Sequence, residues 1–188
     1  MHPDWTGSEP LKLRVSDFEM LAKAGAFEGR YKVELIEGLI VAMNAEYRLH
    51  GVVKNRLVYR LQRALEGLGS DLEAVAEVSV KLDDNSLPQP DAMVVRVVLD
   101  RGYFGPTDLR IAIEVSDSSL RKDLTKKSDL YAASSIPELW VADLRSAELH
   151  QFWNPVSGKY QEKRTTFLLG TIQSVTIPDL KIDGAGIV

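Results

Sequence analysis

Apolar residues recur at helical spacing in three parts of the chain, and each part predicts a helix. A short helix over residues 17–24 follows Ser16, which has capping-box spacing to Glu19, and it stops at Gly25. Another helix is predicted over residues 119–133. The longest pattern lies between them, with steps of three and four residues through Val53, Leu57, Leu61, Ala64 and Leu68.

The remaining apolar segments predict β-strands. The runs 92–99 and 109–115 are almost continuously apolar, which is typical of strands covered on both faces. Residues 78–82 alternate between apolar and polar positions, which favours a strand with one exposed face. The predicted strands are residues 31–36, 39–43, 78–82, 92–99, 109–115, 139–143, 148–153 and 159–165. With the helices between them, they indicate an α/β fold, a mixed sheet flanked by helices.

Composition narrows the picture further. The chain has 188 residues without a repeat or linker-like stretch, so we expect one domain over residues 1–188, with residues 1–12 as a flexible tail. It contains no cysteine, which excludes disulfides and thiolate sites and suits a reducing compartment. No segment approaches the roughly 20 consecutive apolar residues of a membrane-spanning helix. A soluble, cytoplasmic protein is therefore expected.

The formal net charge of −4 bears on nucleic-acid binding. Proteins that coat nucleic acid through bulk charge are usually basic, so this charge counts mildly against such a role. It does not count against an enzyme with a local basic groove. Arg56, Arg60 and Arg63 follow one another along the longest predicted helix and predict either such a groove or a solvated helix face.

Two carboxylates stand against apolar strands. Asp91 directly precedes the run 92–99, and Glu114 lies near the end of the run 109–115. An ionised carboxylate there is costly unless it is paired or binds a cation. Neighbouring strands could bring both acids to one cavity, and ligands that are all oxygens favour Mg²⁺ or Mn²⁺. The alternative is two ordinary strand-end acids, solvated or bonded to backbone amides.

A lysine on the helix after Glu114 adds to this pattern. At about 100° per residue, Lys127 falls within roughly a 60° arc that also holds Leu120, Leu124 and Tyr131. A lysine in an apolar stripe must either extend its ammonium group outward to solvent or meet a negative charge. We expect Glu114, Asp91 or a phosphate group as its partner.

Several segments, taken in order, resemble the Uma family of restriction-type endonucleases, a branch of the PD-(D/E)xK nuclease superfamily. The similarity runs from about Asp17 to Leu180. It is carried by Tyr31-Lys32-Val33-Glu34-Leu35-Ile36-Glu37-Gly38, Leu82-Asp83-Asp84-Asn85, Gln89-Pro90-Asp91, Ile113-Glu114-Val115-Ser116, Asp123 to Lys127 to Tyr131, and Ile136-Pro137-Glu138-Leu139-Trp140-Val141-Ala142-Asp143.

The resemblance implies a restriction-endonuclease-like core and a set of site residues. Asp91 matches the motif aspartate and Glu114 the motif glutamate. Ser116 stands where most of the superfamily has its lysine, and Lys127 on the following helix matches the lysine of this family. Glu34 matches an acid that often assists the metal in related nucleases. Its alternative is a charged edge-strand residue opposite Lys32.

These observations lead to a hypothesis of a Mg²⁺- or Mn²⁺-dependent endonuclease acting on DNA. Asp91, Glu114 and the carbonyl of Val115 would bind the ion, and Lys127 would stabilise developing negative charge. A homodimer would suit the cutting of two strands. His50 matches a histidine common in the family, and we expect it outside the core site. The alternative function is a non-catalytic module that binds nucleic acid or protein on the same fold.

Overall fold

The computed structural model describes residues 10–99, 101–117 and 120–188. Most of the predicted flexible tail, and residue 119 of a predicted helix, lie outside the described residues. The first half of the chain forms α1 (Val15–Lys23), β1 (Lys32–Ile36), β2 (Leu39–Met43), α2 (Arg48–Gly67), β3 (Leu72–Ala76) and β4 (Ala92–Arg96). The second half begins with β5 (Leu109–Ser116), α3 (Leu120–Lys122), a π-helical turn (Asp123–Lys127) and α4 (Ser128–Ala133). It ends with β6 (Glu138–Asp143), β7 (Glu148–Val156), β8 (Lys159–Phe167), β9 (Thr171–Gln173) and β10 (Lys181–Asp183).

Six strands form the main sheet in the order β3-β4-β5-β6-β7-β8. Strands β5 and β6 are parallel, and the other neighbouring pairs are antiparallel. The helical segment from α3 to α4 connects the parallel pair, as a crossover connection must. The mixed sheet with flanking helices confirms the predicted fold class.

Apolar clusters cover both faces of this sheet. On one face, Val53, Leu57 and Leu61 of α2 pack with residues of β4 and β5. On the other face, Leu130 and Tyr131 of α4 pack with different residues of the same two strands. The two central strands are therefore buried on both sides, which explains their almost continuous apolar runs.

The prediction of a strand at residues 78–82 is wrong. Val80 forms only an isolated bridge to Phe104, and the sheet edge is instead β3. Val80 and Leu82 are buried, so the alternating pattern predicted their burial correctly. The pattern does not show whether a neighbouring strand pairs with the backbone of this segment along its length. The short strands β9 and β10, which pair with each other, were not predicted.

The β1–β2 hairpin lies outside the main sheet and forms one side of the site. Its turn contains Gly38, whose φ of +81° favours glycine, and an added Cβ would overlap Lys12. Leu35 of β1 forms a bridge to Leu87, with a hydrogen bond of 2.7 Å from the Leu87 N–H to the Leu35 carbonyl. This contact fixes β1 beside the segment that leads into β4.

Candidate active site

Strand pairing brings the two predicted acids together. Ala92 of β4 is opposite Ile113 of β5, so the next position along each strand sets Asp91 against Glu114. The Val115 N–H donates a hydrogen bond of 2.8 Å to Asp91 Oδ2, which ties the aspartate to the neighbouring strand. A bond to a backbone amide is also expected of an ordinary acid at a strand end. Both acids, however, have charged and polar side chains around them as well.

Asp91 is buried among positive and polar groups. Lys32 Nζ lies 3.2 Å from Asp91 Oδ1, and His50 Nε2 lies 3.2 Å from Oδ2. Burial alone would oppose ionisation, but the hydrogen bond from His50 and the charge of Lys32 hold the pKa of Asp91 below its usual range. Asp91 is therefore an ionised, oriented carboxylate.

Glu114 has the opposite electrostatic character. It is only 2% exposed, and its Oε1 accepts hydrogen bonds from Lys127 Nζ at 2.9 Å and from the Tyr131 hydroxyl at 2.7 Å. Burial raises the pKa of Glu114 to about 8; Lys127 opposes this shift, whereas Asp91, Asp123 and Glu34 add to it. The site thus concentrates more negative charge than its lysines balance.

Lys127 points inward, as its helical position predicted. It ends the π-helical turn, is 3% exposed and therefore does not extend outward to solvent. Its Nζ also lies 3.4 Å from Glu34 Oε1. Burial disfavours the charged amine, but Glu114 and Glu34 raise the pKa of Lys127 above its ordinary value. Lys127 is therefore held as a cation between two acids.

Glu34 belongs to the same cluster and is not an exposed edge residue. It is fully buried, and its Oε1 accepts a hydrogen bond of 2.9 Å from the Gln89 N–H. Lys32 Nζ lies 3.9 Å from the same oxygen. Its other oxygen, Oε2, is buried and has no hydrogen-bond partner among the described residues. Such an orphaned carboxylate oxygen is costly unless a cation completes its surroundings.

Asp91, Glu114 and Lys127 line one cleft of about 370 Å³ between the hairpin, α2 and β5, and Glu34 contacts Lys127 of that lining. The lining residues that sequence reasoning left out of the site include Glu46, His50, Asp117 and Asp123. Glu46 and His50 are spaced i, i+4 and so could have been recognised as neighbours on one side of a helix start. The helical arc predicts Tyr131 as part of the apolar stripe, and this pattern does not indicate that its hydroxyl donates a hydrogen bond to Glu114.

Two arginines of α2 bind the C-terminal segment of the chain. Arg60 donates hydrogen bonds to the carbonyls of Asp183 and Ala185, the second at 2.6 Å, and Arg56 donates one to the Ile187 carbonyl at 3.4 Å. Arg63 is exposed. Two of the three arginines therefore hold the C-terminal segment, which supports neither alternative predicted for them.

The donor set fits a hard divalent cation. Asp91 and Glu114 offer carboxylate oxygens, and the Val115 carbonyl lies on the same strand. Burial and then the neighbouring carboxylates raise the pKa of Glu114, and Oε2 of Glu34 is buried without a hydrogen-bond partner among the described residues. Oxygen donors with excess negative charge are the surroundings that Mg²⁺ and Mn²⁺ prefer.

Comparisons with known proteins show the family and the fold of the chain. A family model described as "Uma2: Putative restriction endonuclease" matches residues 15–184. A crystal structure from Anabaena variabilis, described as a "putative nuclease belonging to DUF820", has a TM-score of 0.64 to this chain at 14% sequence identity. The match covers 82% of this chain and 88% of that one, and it shows a shared fold. None of the curated proteins compared with the chain matches it. None of the described helices is long and apolar enough to cross a membrane.

Proposed function

The chain belongs to the Uma2 family, and from this premise we propose that it is a Mg²⁺- or Mn²⁺-dependent endonuclease that hydrolyses phosphodiester bonds of DNA. A single observation carries the proposal. Asp91, Glu114 and Lys127 converge in one cleft, and Glu34 contacts Lys127 of that lining; each of the four residues is at most 5% exposed.

Asp91, Glu114 and the Val115 carbonyl would hold the divalent ion. When bound, such an ion supplies a more acidic water molecule and positive charge against the phosphate oxygens. Asp91 suits this role because it stays ionised and is held by the Val115 N–H and Lys32. Glu114 suits it because Oε1 is occupied by two donors, which leaves Oε2 for the ion.

Lys127 would act on the reacting phosphate. Its ammonium group is fixed by Glu114 and Glu34 and lines the cleft, so it needs little reorganisation to donate a hydrogen bond to the attacking water or to a phosphate oxygen. Glu34 would assist by holding Lys127 in place and by adding negative charge toward the ion. A fixed cation in a cleft that excludes bulk water stabilises developing negative charge more strongly than one in solution.

The decisive experiment measures nicking of supercoiled DNA in Mn²⁺ by Asp91→Asn and Lys127→Met. Both changes approximately preserve side-chain size, which matters because these residues are buried and an alanine would add a cavity to the loss of charge. We expect each variant to lose at least about 100-fold in rate, since the ion or the charge-stabilising group is impaired.

Lys126→Met is the matched control, because Lys126 is the exposed neighbour of Lys127 in the same turn. It should nick at the wild-type rate. Circular dichroism would establish that every variant is folded. Wild-type nicking by folded Asp91→Asn and Lys127→Met proteins would contradict the proposal.

Calorimetry with Mn²⁺ distinguishes this function from the alternative of a non-catalytic binding module. A nuclease of this type should bind the ion in the cleft, with Asp91→Asn weakening the affinity. Undetectable Mn²⁺ binding by the folded wild-type chain would favour the binding module. Parallel assays on duplex DNA, single-stranded DNA and RNA would test the substrate, which we propose to be DNA in the cytoplasm.

We also propose that the enzyme acts as a homodimer, because cutting both strands of a duplex benefits from two sites related by symmetry. Light scattering coupled to size-exclusion chromatography should then give twice the 20.9 kDa of one chain. A mass equal to that of a single chain at micromolar concentration would contradict this assembly, and nicking of one strand at a time would then be expected.

A further inference from the structure

His50 brings a ring nitrogen to the place where two of the proposed metal ligands meet. Its Nε2 lies 2.8 Å from the Val115 carbonyl oxygen and 3.2 Å from Asp91 Oδ2. Donor atoms in adjacent positions around an octahedral ion, each roughly 2.1 Å from it, lie roughly 3 Å apart. Both measured separations match the spacing of neighbouring ligands on a single ion.

We propose that His50 is a further ligand of the divalent ion, binding through Nε2 beside Asp91 and Val115, and that it makes the site prefer Mn²⁺ to Mg²⁺. This inference rests on the metal-dependent function proposed above. Imidazole nitrogen is a donor for transition metals, whereas Mg²⁺ takes oxygen ligands and gives up its waters reluctantly. One nitrogen in an otherwise all-oxygen site therefore changes which ion binds better.

The other side of the imidazole ring has the surroundings expected of a metal-binding histidine. Nδ1 is buried and lies 3.0 Å from Glu46 Oε2, without the angle of a hydrogen bond and with no hydrogen-bond partner among the described residues. Lys54 Nζ holds the same Glu46 oxygen at 2.7 Å. Histidines that bind metals commonly present the second nitrogen to a carboxylate, which fixes the tautomer and the ring orientation. Glu46 is at the right distance for that role.

Binding of the ion would replace the hydrogen bond between His50 Nε2 and the Val115 carbonyl with a bond from Nε2 to the ion. In the metal-free chain the Nε2 hydrogen faces the Val115 carbonyl, since a carbonyl oxygen can only accept a hydrogen bond. A divalent ion at Nε2 would take the place of this hydrogen: a doubly protonated ring would release its Nε2 proton to solvent, and a singly protonated ring would carry its proton on Nδ1, facing Glu46 in either case. No atom changes oxidation state.

Pulsed electron paramagnetic resonance of the Mn²⁺-loaded full chain tests the nitrogen ligand directly, because a bonded ¹⁴N nucleus modulates the electron-spin echo. We expect this modulation in the wild type and in Glu46→Gln, and its loss in His50→Gln. Calorimetry should show that His50→Gln weakens Mn²⁺ binding by at least about tenfold and Mg²⁺ binding by less than about threefold.

His150→Gln is the matched control. His150 lies on β7 beside Asp143 and Glu148, which form a second group of metal-capable side chains. We expect this variant to keep the nitrogen modulation. Modulation that persists in His50→Gln but disappears in His150→Gln would overturn the inference.

Two further outcomes separate this inference from the proposed function. Mn²⁺ that binds the wild type without nitrogen modulation overturns the role of His50 and leaves the nuclease proposal standing. A folded wild-type chain that binds no Mn²⁺ overturns both.

Discussion

The two oxygens of Glu114 have different surroundings, and Tyr131 causes much of the difference. The Tyr131 hydroxyl and Lys127 Nζ both donate to Oε1. Burial and then the charge of Glu114 raise the pKa of Tyr131 well above its usual value, so the hydroxyl remains a neutral donor. Tyr131 is thus a positioning residue that orients the carboxylate toward the cleft.

Tyr131→Phe should weaken Mn²⁺ binding by about tenfold and lower the free energy of unfolding by about 1 kcal/mol, because one donor to a buried carboxylate is lost. Calorimetry and urea denaturation measure the two effects. Tyr160→Phe is the control, since the Tyr160 hydroxyl donates to the Ile136 carbonyl and does not contact Glu114. It should cost stability without changing metal affinity. Equal metal affinities in both variants would contradict the positioning role.

Glu114 also makes stability depend on pH. Its folded-state pKa of about 8 lies above the ordinary value of 4.5, so the folded chain keeps a proton that the unfolded chain releases. The stability due to this proton is fully present below pH 4.5 and is lost as the pH rises through 8. Glu114→Gln removes this dependence. Urea denaturation without metal measures the free energy of unfolding of both proteins. Relative to the wild type, this free energy should rise by a few kcal/mol for Glu114→Gln between pH 5 and pH 8.5. A constant difference between the two proteins would contradict this account.

Individual site residues could be predicted where a local pattern carried the information. The helical arc placed Lys127 inward, and the apolar runs beside Asp91 and Glu114 indicated that neighbouring strands could bring the two acids together. His50 was left outside the core site, because its closeness to Val115 and Asp91 depends on how α2 packs against β4 and β5. A single sequence does not show that contact.

At the scale of elements, two buried glutamates in similar strands have different roles. Glu138 of β6 is fully buried, as Glu114 of β5 nearly is. Its carboxylate accepts hydrogen bonds from Trp140, Gln151, Ser174, Val175 and Thr176. Because donors surround both oxygens, Glu138 anchors the segment between β9 and β10. Both acids lie against apolar strand sequences, and their surroundings in the fold distinguish an anchor from a candidate site residue.

Glu138→Gln should therefore destabilise the protein by roughly 3 kcal/mol, because the new amide group would face donors and leave several of them unsatisfied. Thermal unfolding followed by circular dichroism measures the loss. Glu162→Gln is the control: Glu162 is exposed and accepts hydrogen bonds from Trp153 and Asn154. Similar melting temperatures for the wild type and Glu138→Gln would contradict the anchoring role.

The wrong prediction of a strand at residues 78–82 also has a physical cause at the scale of elements. Alternating burial is a property of any extended segment that lies along a core, whereas a strand also needs a partner for its backbone. The backbone groups around Val80 bond to Pro88 and Phe104 instead of to a continuous ladder. Hydrophobic pattern alone does not separate these cases.

At the scale of the whole molecule, the negative charge of the chain and of the cleft disfavours the binding of DNA without a divalent cation. The net charge is −4, and the cleft contains Glu46, Asp91, Asp117 and Asp123 against Lys32 and Lys127, while Glu114 becomes a further negative charge only when it loses its proton. Phosphate groups approaching this cleft are repelled by its excess negative charge.

We therefore expect the affinity for a short DNA duplex to rise by about tenfold or more when Ca²⁺ or Mn²⁺ is added at constant ionic strength. Fluorescence anisotropy measures the affinity, with KCl of matched ionic strength as the control. Asp91→Asn should show a smaller increase. Equal affinity with chelator and with divalent ion would contradict the prediction.

The mutual pairing of Lys32, Lys127, Asp91 and Glu114 also has a consequence for descent. Removing any one of them leaves an opposite charge stranded in the interior, which costs more than removing the pair. A lineage that lost the proposed nuclease activity should therefore lose these residues as oppositely charged pairs. Relatives without that activity should be recognisable by apolar substitutions at both members of a pair.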